Sequence, residues 1–159
     1  NIVYSFFLKH VFLVDIFSLS LNYIVRVYAG CVSLDVYLSN WMAVTIFSGA
    51  LTISSIKRKR ELLLYGYKSR KVLKYYSEKS LKIITICASI LSTVFYSLYV
   101  MLTNQRIFLT IPLIIYAVFR FSYRSEHKDF TDSPVEEILK DKQNYLIIFL
   151  FLIIVIFYQ

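Results

Sequence analysis

Glycine, proline and cysteine are scarce here, with three Gly, two Pro and two Cys in 159 residues. Charge is scarce too. Asp, Glu, Lys and Arg make up 18% of the chain, against about 25% in an average soluble protein. The hydrophobic share is 58% and the mean hydropathy +0.61. That balance excludes a disordered chain, a coiled coil and a secreted mini-domain, and no soluble globule of this size hides so much apolar surface. Cys31 and Cys87 both sit inside apolar runs, so they form no metal spacing and no disulfide framework. There is no GxGxxG, Walker sequence, Ser/His/Asp order or CxxC. No basic segment precedes a cleavable apolar stretch, and residue 1 is Asn, so a signal peptide is not expected. The 14 Tyr and 13 Phe are spread through the apolar runs, which argues against base stacking and against a nucleic-acid partner.

What the chain does have is five apolar stretches, at 11–34, 40–56, 83–103, 107–123 and 145–158. A bilayer core takes about 20 helical residues. The runs do not alternate with period two, and helices are then the way to satisfy backbone polar groups in lipid. The expected fold is therefore all-α and transmembrane, with five spans in one integral-membrane unit over 1–159. Residues 1–8, apolar from Ile2 on, are expected to be the tail of an earlier span in a longer protein.

Charge sets the orientation. Lys9, residues 57–82 and residues 120–142 hold 16 of the 18 basic residues. Residues 35–39 and 104–106 hold only Arg106. By the positive-inside rule the loops 57–82 and 124–144 face the cytoplasm, and the C-terminus lies outside. The expected location is a plasma (inner) membrane, crossed several times.

The most informative segment is IKRKRELLLYGYKSRKVLKYYS. Lys57, Arg58 and Glu61 share a face if the second helix runs on past the membrane. A pinned Arg fork suits phosphate oxygens, so one reading is an anion site for a diphosphate, with Arg70 and Tyr76 nearby. The other is topology and attraction to anionic lipid headgroups. Lys59, a quarter turn from Arg58, is expected to matter much less.

In the first span Asp15, Asn22 and Arg26 fall within one narrow arc. They form either the wall of a polar cavity, with Arg26 as a buried anion ligand, or an interhelix network. Small-residue stripes at Thr45, Ser48, Gly49, Thr52 and Ser55, and at Ser89, Ser92, Thr93 and Tyr96, predict close helix packing. The acids from Glu126 to Asp141, with His127, match no metal template and are expected in a solvated loop. Ser133-Pro134-Val135-Glu136-Glu137 predicts a helix start.

In order and spacing these residues resemble the C-terminal half of the UbiA superfamily of intramembrane prenyltransferases. Within it they are most similar to the branch that acts on polyprenyl phosphates as a phosphoribosyltransferase. The matching pieces are YSFFLKHVFLVDIF with its Asp15, NYIVRVYAG with Arg26, Ala29 and Gly30, and IKRKRELLLYG with Lys57, Arg58, Glu61 and Leu62. Arg70, Leu73 and Tyr76 follow, then Ile111-Pro112 with Arg120, and SPVEEILKD with Ser133, Pro134, Glu136 and Asp141. Ile56 and Phe121 stand where the family has Gly and Tyr. Nothing here matches the family's Asp-rich segment, which belongs to the N-terminal half of a nine-helix bundle.

The resemblance implies transfer of a 5-phosphoribosyl group from phosphoribosyl diphosphate to a polyprenyl phosphate. It implies Mg²⁺ on the donor, held by carboxylates outside this sequence. It also implies Lys57 and Arg58 on donor phosphates, Glu61 orienting them, and Arg70, Tyr76 and Arg120 at the cytoplasmic mouth; Asp15 and Arg26, from the polar face of the first span, complete the candidate substrate-binding residues. The runner-up activities are prenyl transfer to an aromatic acceptor and a non-catalytic membrane fragment. The expected protein partners are an N-terminal half or further copies of the chain. The 159 residues alone are expected to be inactive.

Overall fold

The computed structural model describes residues 11, 13–68, 71–126, 136 and 141–158. Among these residues there is no strand. The elements are α1 (Val14–Ser33), α2 (Asn40–Tyr65), two 3-10 turns (Gly66–Lys68 and Lys71–Tyr75), α3 (Glu78–Thr103), a 3-10 turn (Gln105–Ile107), α4 (Thr110–Ser125) and α5 (Lys142–Tyr158). The all-α expectation holds.

Local chemistry sets several boundaries. Gly66 ends α2 at a φ of 61°, a conformation that L side chains rarely adopt, and its amide bonds to the Leu62 carbonyl. Ser77 opens α3 through a reciprocal cap with Ser80, each hydroxyl accepting from the other residue's amide at 3.0 Å. The Ser133-Pro134 helix start lies outside the described residues.

Successive helices run antiparallel, and their cross-contacts show it. Trp41 at the start of α2 meets Phe95 late in α3, and Ser55 late in α2 accepts from Thr85 early in α3 at 3.0 Å. Tyr96 late in α3 meets Thr110 at the start of α4 at 2.6 Å. Arg120 late in α4 pairs with Asp141 just before α5. The small-residue stripes do what their spacing predicts. A Cβ on Gly49 would lie 3.5 Å from Ser92 Oγ, so α2 and α3 pack closely.

Two apolar clusters hold the bundle. One joins Ile16, Leu51, Val72, Leu73, Tyr76, Leu81 and Ala88 at the end where α1 starts and α2 finishes. The other joins Tyr96, Val100, Ile107 and Ile111 at the opposite end.

Two differences from the sequence reading bear on the site. Residues 57–82 are not a loop throughout: α2 continues to Tyr65 and α3 begins at Glu78, so only 66–77 connects them. In addition, among the described residues α1 and α3 are the two helices long and apolar enough to cross a membrane, while α5 is apolar but shorter. Helix α2 has the length, at 26 residues, but carries four consecutive cations in its last third.

Candidate functional site: ion pairs at one end of the bundle

The antiparallel arrangement gathers the start of α1, the end of α2, the start of α3, the end of α4 and the residues before α5. Among the described residues, Arg58, Lys59, Arg60, Lys82, Arg120 and Arg124 are gathered at this end. Lys57 to Arg60 are consecutive on a helix, so they point in four directions about 100° apart. Helix α2 is enclosed here by its neighbours, so three of the four are buried: Arg58, Lys59 and Arg60. Lys57 is exposed.

Arg58 is the most enclosed cation, with its side chain 2% exposed and that of Asp15 at 0%. Its Nε and Nη2 donate to the two oxygens of Asp15, with Nη2–Oδ1 at 3.2 Å. Its Nη1 donates to both oxygens of Glu61, at 3.0 and 2.9 Å. One guanidinium therefore faces two carboxylates. The fork geometry explains why Arg serves here and Lys would not. Asp15 ties the start of α1 to α2 across 43 residues of chain, whereas Glu61 is on Arg58's own helix.

Tyr76 sits beside this cluster. It is 2% exposed and its hydroxyl accepts from the Leu13 amide at 2.9 Å. That amide precedes the first turn of α1, where backbone donors lack helical partners. Leu13 itself is at a φ of 63°, which is strained for a branched side chain. Burial pushes the Tyr76 hydroxyl above its ordinary value, against the lowering effect of the Leu13 hydrogen bond.

A second cluster links three helices. Lys59 Nζ donates to Glu126 Oε1 at 2.6 Å, and Lys82 Nζ to Oε2 at 3.3 Å. Burial alone would raise the Glu126 carboxyl, but the hydrogen bonds and charges of the two lysines outweigh it and hold it below its ordinary range. A third cluster closes the end of the bundle. Arg120 donates to Asp141 through Nε and through Nη2, the latter at 2.8 Å, and Arg124 approaches at 3.9 Å. The Arg120 hydrogen bond, reinforced by the Gln143 amide, holds the buried Asp141 carboxyl below its ordinary range.

Several expectations change. Lys57 does not join Arg58 and Glu61, because i and i+1 face different ways and only Arg58 turns inward. Lys59 is buried and paired with Glu126, away from Arg58 and its two carboxylates. Arg26 is exposed among the described residues, not a buried anion ligand, since only the first turns of that α1 face are covered. Tyr76 is packed in the core rather than lining an open mouth. Asp141 and Glu126 are held by cations, so the acids at 126 and 141 are not merely solvated. Arg70, His127, Asp129, Asp132 and Glu137 lie outside the described residues, while Glu136 is exposed. No local sequence signal marks Lys59–Glu126, because its partners are 67 residues apart. The only cue was that four consecutive helical cations cannot share one solvated face.

Between the helices are two cavities with no charged lining. One, of about 230 Å³, lies among α2, α3, α4 and α5, bounded by residues that include Gly49, Ser92, Ala117, Phe121 and Asn144. The other, of about 440 Å³, lies between α3 and α4. Phe121 and Asn144 bring the first close to the Arg120–Asp141 pair.

Among the described residues no three His, Cys, Asp or Glu side chains gather to hold a metal. Asp15, Glu61, Glu126 and Asp141 are all engaged with cations. The described residues do not make a Mg²⁺ site.

No family model matches the chain. It is similar to the decaprenyl-phosphate phosphoribosyltransferase of Mycolicibacterium smegmatis, with 33% identity over 102 residues, 62% of this chain and 32% of that protein. It is also similar to the protein of the same name from Corynebacterium glutamicum, with 32% identity over 99 residues, 60% of this chain and 30% of that protein. The resemblance read from the motifs is borne out by these relatives. The matched region spans about a third of the length of each.

Proposed function

We propose that this chain is part of a UbiA-type intramembrane transferase that moves a 5-phosphoribosyl group from phosphoribosyl diphosphate to a polyprenyl phosphate. The observation that carries this reading is the similarity to two proteins named for that reaction. In the reaction a phosphate oxygen of the lipid bonds to C1 of the ribose, and the bond from C1 to the diphosphate breaks. Negative charge develops on the departing diphosphate, and positioned cations stabilise it.

The structure supports a division of labour. Lys57 is exposed and able to meet a soluble phosphate, while the inward-facing Arg58, paired with Asp15 and Glu61, fixes the end of α2 that carries it. Arg120 is fixed by Asp141 and is the chain neighbour of Phe121, which lines the apolar cavity, so a lipid phosphate would meet it there. The cavity walls suit an isoprenoid because apolar lining with few polar groups is what such ligands need.

Membrane placement is part of the proposal. The outward faces of α1, α3 and α5 are apolar, with Val25, Val32, Ile90, Phe149 and Phe157 exposed. A soluble monomer rarely leaves so much contiguous apolar surface to water, whereas lipid accepts it. The ion-paired end then faces the cytoplasm, where the basic residues belong.

The test is transfer of labelled ribose phosphate from phosphoribosyl diphosphate into the lipid fraction by the full-length protein in detergent, supplied with a polyprenyl phosphate. Label in the lipid that is lost in Arg58→Ala supports the reading. No transfer, or transfer of a prenyl group to an aromatic acid instead, overturns it.

A further inference from the structure

The seam between α3 and α4 is fastened at both ends and hollow between them. Lys82 donates to Glu126 at 3.3 Å at the ion-paired end, and Tyr96 meets Thr110 at 2.6 Å at the other. Between these ties lies the cavity of about 440 Å³, with Ile86, Ile90, Val94 and Phe119 on its walls. All four are exposed, so its mouth opens on the outward apolar face. One residue of the wall stands apart. Ser89 is 6% exposed, and its hydroxyl has no hydrogen-bond partner among the described residues. Thr85, Thr93 and Ser97, on the same stripe of α3, each turn back to the carbonyl four residues earlier, at 2.8, 3.0 and 2.9 Å. A buried hydroxyl without a partner is costly, so a ligand that fits here brings it an acceptor. The stripe carries on toward the charged end. Lys82 is one turn before Ile86 on the same helix face, and seven residues, about 10 Å, before Ser89. Its flexible four-carbon stem spans part of that distance. Lys82 is half-exposed, and Glu126 is met more closely by the buried Lys59, at 2.6 Å. Turning Lys82 to another anion therefore costs little. Lys79, also exposed, is a further turn along.

From this we propose that the hollow between α3 and α4 is a site for an anionic glycerophospholipid of the bilayer. Its phosphate meets Lys82, with Lys79 beyond it. An ester carbonyl below the phosphate accepts from the Ser89 hydroxyl, and one acyl chain fills the cavity against Ile90, Val94 and Phe119. The order of groups on the lipid, anion then acceptor then chain, is the order of groups along α3. A polyprenyl phosphate matches less well, because below its phosphate there is only hydrocarbon and Ser89 stays unpaired. A zwitterionic lipid brings its own cation to the lysines, whereas a net negative headgroup is drawn to them. The inference uses the membrane placement proposed above and is independent of the transfer reaction.

The full-length protein in detergent is titrated with phosphatidylglycerol, its ether-linked analogue, phosphatidylcholine and a polyprenyl phosphate, and bound lipid is counted by native mass spectrometry. Melting without added lipid checks that each variant is folded. One ester-linked phosphatidylglycerol should bind in preference to the other three. Lys82→Gln should weaken it about fivefold. Ser89→Ala should weaken it about threefold to tenfold and leave the ether-linked analogue unchanged. Without lipid, Ser89→Ala should melt no lower than the parent, since it removes an unpaired hydroxyl. Ile90→Trp, which obstructs the mouth, should weaken both linkage forms. If Ser89→Ala shifts the ester and ether forms alike, or Lys82→Gln affects phosphatidylglycerol no more than phosphatidylcholine, the lipid site is overturned. Preference for the polyprenyl phosphate, weakened by the same variants, overturns it too and gives the hollow to the substrate. Transfer of labelled ribose phosphate is read in the same preparations. Lipid results against the site with transfer intact overturn this inference alone, and absent transfer with the expected lipid results overturns the transferase reading alone.

Discussion

Replacing Asp15 with Asn tests how the bundle end is held. The change keeps the shape and removes one charge from a pair whose members are 0% and 2% exposed. Removing one partner of a buried pair typically costs about 3–5 kcal/mol, because the remaining charge is stranded. Here Glu61 still neutralises the guanidinium, and the Asn oxygen still accepts one N–H. The expected loss is therefore at the lower end, about 3 kcal/mol. In a domain of roughly 150–250 residues that is a fall in melting temperature of about 6–12 °C, and the fall is smaller in a longer protein. The assay is thermal melting of the full-length protein in detergent, with Glu61→Gln as comparison. That variant leaves the Asp15 fork intact and involves a partly exposed group, so it should cost about 1 kcal/mol or less. A double-mutant cycle with Arg58→Met should show a coupling above about 1 kcal/mol. If Asp15→Asn melts with or above Glu61→Gln, or the cycle is additive, the α1–α2 tie is not what holds this end together.

Tyr76→Phe removes the acceptor of the Leu13 amide and should cost about 1–3 kcal/mol, read as increased hydrogen exchange at the start of α1. The Asp141 carboxyl is held below its ordinary range, so its contribution to stability is complete above about pH 4 and is lost as pH falls through the lower folded value. A melting series should show an acid-side loss that Asp141→Asn abolishes. With Cys31 and Cys87 changed to Ser, cysteines at Lys79 and Gln105, at opposite ends of α3, should label from opposite sides of the membrane. Labelling of both from one side refutes the orientation.

Much of the fold was legible in the residues themselves. Apolar runs without alternation pointed to an all-α chain, and among the described residues α1 to α5 form where those runs are, because backbone groups among apolar side chains must satisfy one another along the chain. The stripes through Gly49 and Ser89 predicted the α2–α3 seam, and the basic run at 57–60 marked the end of the bundle that carries charge. Those are local or periodic properties, and a sequence carries them directly. Pairing is different. That Arg58 takes Asp15 as well as Glu61, that Lys59 turns inward to Glu126 while Lys57 stays in solvent, and that Arg120 closes on Asp141 follow from which helix lies beside which. Each depends on groups 21 to 67 residues apart meeting at a few ångströms. A long side chain can reach several neighbours from one helix position, and only the packed helices around α2 decide which carboxylate it finds.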